Sequence, residues 1–172
     1  YKNLINVYGD NSKNSEAINC FNNCIKLLDN NASFVNNYNY SFIAGQANYN
    51  IARVFNKIGK NEQAIEHSKK ALDYFEPFVT PWINRDQITT IILLINNLSN
   101  YYSENGNYDE ATQNYAMGMR FAINNNRYYD SSVINMNLAN TWVKQLKYDE
   151  AEKQYNVILD LISKDPHIYK DS

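Results

Sequence analysis

Arg53 and Lys57 stand four residues apart, a spacing that sets two cations side by side on one helix face. An arginine there can hold a carboxylate through two parallel hydrogen bonds. Catalytic chemistry is scarcer. The two histidines, His67 and His167, lie far apart in the chain. His67 takes the place of a polar helix residue and His167 follows Pro166, and both are expected on the surface. Cys20 and Cys24 read as small core residues of a reduced protein, since two thiols without further ligands make no metal site. No H-E-x-x-H, C-x-x-C, P-loop or G-x-S-x-G is present. Asp109 with Glu110 and Asp149 with Glu150 fit the positive ends of helices rather than paired acid–base work. The expectation is a binding protein, not an enzyme, with neither metal nor organic cofactor.

Asparagine is the residue in excess, 30 of 172. Asn, Tyr, Ile and Lys share AT-rich codons, so the total reflects composition and only the positions carry meaning. A net charge of -2 gives no electrostatic footprint for nucleic acid or for an anionic membrane surface. The longest apolar approach, Ile88 to Ile95, is too short to cross a bilayer, and no signal peptide is visible. The expected location is cytoplasmic. The chain begins at Tyr1 and reads as a fragment of a longer one.

With only 5 Gly and 3 Pro, turn-rich sandwiches, barrels and doubly wound folds are disfavoured. Four segments share one pattern: Tyr8, Phe55, Tyr102 and Trp142 are each followed nine residues later by alanine, at Ala17, Ala64, Ala111 and Ala151. Phe21, Tyr115 and Tyr155 add an aromatic four residues further on, and Ser68 breaks this in the second copy. Leu4 and Ile5, Ile51 and Ala52, Leu98 and Ser99, and Leu138 and Ala139 precede the opening aromatics at helical spacing. A helical hairpin explains the pattern. The aromatic sits on a first helix, a polar turn follows with Gly59 or Gly106 at its cap, and the alanine lets the second helix cross closely.

These residues resemble the tetratricopeptide repeat, whose consensus places an alanine nine residues after an aromatic and a further aromatic four later. The resemblance implies an all-α fold, a right-handed superhelix of antiparallel helix pairs, over one repeat domain spanning 1–172. Its repeats run approximately over 1–30, 38–77, 86–126 and 128–165, with Pro77 and Pro166 near helix stops. The alanine intervals of 47, 47 and 40 exceed the consensus, and Phe34 to Lys57 and Ile83 to Glu104 read as long first helices. Long repeats of this kind are similar to the sensor domains of Gram-positive regulators of quorum sensing, the family including Rap, NprR, PlcR, PrgX and Rgg, with residues 127–155 closest. That resemblance implies a cytoplasmic sensor that binds a short signalling peptide and forms a homodimer, attached to a helix-turn-helix outside this chain that regulates transcription. The competing expectations are a scaffold or adaptor for a protein partner and a Rap-like inhibitor of response-regulator signalling.

Such repeats place one face of their first helices along a concave groove. When each alanine is numbered as repeat position 20, groove position 9 holds Asn6, Arg53, Asn100 and Asn140. Position 5 holds Lys2, Tyr49, Asn96 and Met136, and position 12 holds Gly9, Asn56, Ser103 and Val143. The expected ligand-binding set is Asn6, Gln46, Tyr49, Arg53, Asn56, Lys57, Asn96, Asn100, Met136 and Asn140. An asparagine amide offers both a donor and an acceptor to an extended peptide. As groove residues these amides are expected to face solvent, with Arg53 and Lys57 ready for a ligand carboxylate. Adaptors of this repeat class that bind chaperones clamp a carboxylate with Lys and Asn four apart. Lys2 and Asn6 match that half, whereas Asn96 and Asn100 lack the charge of the other.

Overall fold

A computed structural model describes residues 1–31, 37–78 and 83–164. The described residues form eight α-helices: α1 (Lys2–Asp10), α2 (Asn14–Asn30), α3 (Asn37–Lys57), α4 (Asn61–Phe75), α5 (Arg85–Glu104), α6 (Tyr108–Asn124), α7 (Tyr128–Lys144) and α8 (Tyr148–Lys164). A single 3-10 turn, Glu76–Phe78, follows α4 and contains Pro77. No strand occurs among the described residues, and the fold is all-α. The long first helices are present as α3, of 21 residues, and α5, of 20. Phe34, Pro166 and His167 lie outside the described residues.

The turn inside each hairpin is one motif used four times. Ser12, Gly59, Gly106 and Leu146, all at repeat position 15, adopt φ of 60°, 74°, 80° and 61°. The next residue donates its N–H to the carbonyl of the opening aromatic: Lys13 to Tyr8 at 2.8 Å, Lys60 to Phe55, Asn107 to Tyr102 and Lys147 to Trp142, each of these three at 2.9 Å. This six-to-one bond closes a Schellman cap and satisfies a carbonyl that the helix end leaves orphaned. Glycine enters this left-handed region freely, but a leucine pays about 1–2 kcal/mol for its Cβ. Leu146 is 71% exposed, so its side chain returns little by burial. Leu146→Gly is therefore expected to raise the unfolding free energy by about 0.5–1 kcal/mol, after the greater chain entropy of glycine is offset. Urea denaturation checks this, and an unchanged or lower midpoint would contradict it.

Two compact units divide the chain, residues 1–87 and 88–172. In the first, α1 packs on α2, both pack on α3, and α3 packs on α4. Ala17 and Ala64 are fully buried, as close helix crossings require. A Cβ built on Gly9 would meet Val54 Cγ2 at 2.6 Å, so the approach of α1 to α3 excludes any side chain there. In the second unit Ile92, Ala111, Tyr115, Ala122, Ile134 and Leu138 form one core cluster across α5, α6 and α7. Ala151 is buried on α8, which packs on α7. A Cβ on Gly118 would stand 3.0 Å from Ile95 and 3.2 Å from Ile134, which explains a small residue at that crossing.

Candidate functional site

In the first unit, Gln46, Arg53 and Lys57 of α3, which the groove pattern singles out, are turned onto α1. Gln46 Oε1 accepts from Lys2 Nζ. Arg53 Nη1 donates to Asn6 Oδ1 at 3.1 Å, and Arg53 lies 3.7 Å from the Asp10 carboxylate. Lys57 Nζ donates to the carbonyls of Gly9 at 2.8 Å and Asp10 at 3.3 Å. Arg53 and Lys57, expected to be ready for a ligand carboxylate, already bond to α1, and both remain exposed. The negative end of the α1 dipole and the Asp10 carboxylate draw both cations. Asn56 Nδ2 reaches Asn61 Oδ1 at 3.3 Å, tying α3 to the start of α4. Tyr49 is half-buried on α3.

His67 is also corrected. It is half-buried, with its ring 5.1 Å from Phe21 edge-on and 5.3 Å from Phe55 in a stack. The repeat has Ser68 where the others place a second aromatic, and the ring next along the chain packs inward. Asn48 Nδ2 donates to the Ala44 carbonyl at 2.9 Å, which aims Asn48 Oδ1 at His67 Nδ1, also 2.9 Å away. The neutral ring therefore carries its proton on Nδ1. Burial pushes the imidazole below its usual range, Lys70 adds to this, and Glu66 opposes it. A folded pKa below the unfolded value means that the unfolded chain takes up the proton first. Stability is then expected to fall as pH drops below about 6.5, down to the folded pKa, and to be insensitive to this group at higher pH. Comparing melting temperatures of the parent and His67→Gln between pH 7.5 and 5.5 isolates the effect, because other groups titrate equally in both. Parallel curves would refute it.

In the second unit, α5 and α7 bring four amides together. Asn137 Nδ2 donates to Asn96 Oδ1 across the two helices at 2.9 Å. Asn100 lies one turn beyond Asn96 and accepts the Tyr115 hydroxyl proton at 2.5 Å. Asn140 accepts that of Tyr155, also at 2.5 Å. Met136, one turn before Asn140, is 43% exposed. The expectation that the position-9 amides simply face solvent is corrected on this point: the oxygens of Asn6, Asn100 and Asn140 are each held by another side chain. Position 12 is divided: Gly9 and Ser103 are buried, with Thr141 donating to the Ser103 hydroxyl at 3.0 Å, whereas Asn56 is half-buried and Val143 exposed.

Position 6 went unread in the sequence, although its signal was plain. It holds Asn3, Asn50, Asn97 and Asn137, asparagine in all four copies. Asn50 donates to the Lys2 carbonyl at 3.0 Å, and Asn137 donates to the Asn96 side chain. In both cases position 6 bonds to position 5 of the preceding first helix.

Residues 45–76 and 92–122 each match a tetratricopeptide-repeat family model. Those two segments are tetratricopeptide repeats by this match. The matched segments run from within α3 into the 3-10 turn at 76, and from α5 into α6. Among solved structures, the TPR-like repeats of a Podosopora anserina kinesin light chain are similar over 95% of this chain and 74% of that one, with 13% identity and a TM-score of 0.71. A point variant of those repeats matches over 96% of this chain and 94% of that one at 13% identity, with a TM-score of 0.39. At such identity the first likeness bears on the fold of these repeats alone. No curated protein matches the chain.

Among the described residues no group of three or more His, Cys, Asp or Glu side chains is placed to hold a metal. No helix among them is long and apolar enough to cross a membrane. Cys20 and Cys24 are free and buried, and burial pushes the Cys24 thiol up.

Proposed function

We propose that this protein is a non-catalytic interaction module that holds an extended peptide segment of a partner along the first helices α5 and α7. Tetratricopeptide repeats form protein–protein interaction modules, which supports the general reading. The observation that carries the specific one is the amide cluster of Asn96, Asn100, Asn137 and Asn140, with Met136 exposed beside it. Amides grip a main chain without demanding a sequence, and an exposed thioether adapts to varied apolar side chains. Free, buried thiols suit a reducing compartment such as the cytoplasm. A narrower form of this reading is the signalling-peptide sensor of a bacterial regulator, which the sequence pattern of residues 127–155 supports.

Selection of random displayed peptides on the parent chain, followed by titration against Met136→Glu, tests the reading. Peptides enriched on the parent should lose about tenfold or more in affinity for the variant, because a carboxylate would be buried against them. If no peptide is enriched, or enriched peptides bind Met136→Glu equally well, the reading fails.

A further inference from the structure

Each amide at this face has one end already engaged. Tyr115 and Tyr155 donate to the oxygens of Asn100 and Asn140, and Asn137 donates to that of Asn96. A side-chain amide whose oxygen is held turns its nitrogen the other way, and that nitrogen carries two protons. The nitrogens of Asn96, Asn100 and Asn140 have no hydrogen-bond partner among the described residues. Asn140 is exposed, and Asn96 and Asn100 are half-buried. Against these three donors stands one amide oxygen, that of Asn137. One turn beyond Asn100 and Asn140 lie Glu104 and Lys144, both exposed, whose opposite charges leave the face without net charge. That balance favours a neutral acceptor over a carboxylate.

We propose that the α5–α7 face recognises its partner through main-chain carbonyl oxygens, with Tyr115 and Tyr155 as positioning residues that turn the amide nitrogens of Asn100 and Asn140 toward it. The inference rests on the peptide-binding reading above and gives it a polarity: the protein donates and the partner accepts. A segment rich in proline, which keeps its carbonyls and lacks N–H groups, fits this face as well as any other extended chain or better.

The probe is acetyl-hexaproline dimethylamide, which has carbonyls and no N–H, with blocked oligo-alanine of equal length beside it. Side-chain amide resonances are followed by nitrogen–proton NMR during titration of the whole chain. Hexaproline should shift the amide signals of Asn100 and Asn140. The double variant Asn100→Asp with Asn140→Asp keeps an oxygen for each tyrosine but replaces the outward donor by an acceptor. It should melt like the parent and bind hexaproline about tenfold or more weakly. Tyr155→Phe releases the Asn140 amide to rotate, so the preference for hexaproline over oligo-alanine should fall while the fold persists.

Equal binding of hexaproline by parent and double variant would overturn the proposal, as would shifts confined to other residues. Binding of oligo-alanine at this face without hexaproline binding would overturn the donor polarity and leave the peptide reading standing. If neither probe nor any selected peptide bound, both would fall.

Discussion

Tyr115→Ala is expected to lower the unfolding free energy by about 3–5 kcal/mol, in the range for removing a buried aromatic ring. Tyr115 is 1% exposed and sits in the core cluster with Ile92, Ala111, Ile134 and Leu138, so the surrounding helices cannot close over the space. Its hydroxyl meets Asn100 Oδ1 and lies 3.4 Å from the Thr141 hydroxyl. Burial, more than any neighbouring charge, raises its pKa above the usual phenol range. Tyr115→Phe separates ring from hydroxyl. Half-buried Asn100 can turn to water and Thr141 retains Ser103 and the Asn137 carbonyl, so this change should cost only about 1 kcal/mol. Chemical denaturation of both variants checks the pair. Equal losses would mean that the hydroxyl, not the ring, holds this core.

Ala111→Leu carries the second large effect, a loss of about 1–3 kcal/mol by overpacking. Ala111 has no exposed surface and lies where α6 crosses the core cluster. A leucine there must push the helix axes apart or adopt a strained rotamer. Gln113→Leu, an exposed change two residues along the same helix, should stay within about 0.5 kcal/mol. If both variants unfolded alike in a thermal scan, the close crossing at Ala111 would be wrong.

The hairpins were legible because their cause is local. An aromatic followed nine residues later by alanine marks a turn and a close crossing, and Tyr8–Ala17 and Trp142–Ala151 obey it as well as the two glycine-bearing copies. The left-handed caps were half legible. Gly59 and Gly106 announce them, whereas Ser12 and Leu146 take the same conformation only because the helix pair on either side imposes it. The amides of the candidate site were legible as a set but not in orientation. Asn100 and Asn140 pair with tyrosines 15 residues away on the second helix, a contact that exists only once the hairpin has closed. Phe21, which has no hydroxyl to donate, marks the copy in which Asn6 turns to Arg53 instead. Nothing in the spacing of Arg53 and Lys57 reveals that the end of α1 lies within their reach. His67 escaped for the opposite reason, since its environment depends on the gap left by a serine in the aromatic slot.

Within each unit, the helices pack against partners no more than two places along the chain. The side-chain bonds between successive first helices close loops of 38 to 48 residues, and the entropy cost of closure grows only slowly with such length. A ribosome releasing this polypeptide would expose each helix pair to its partner almost as soon as both had emerged. The four Schellman turns then act as early, local commitments, made before the amide face of α5 and α7 exists to be offered to a partner.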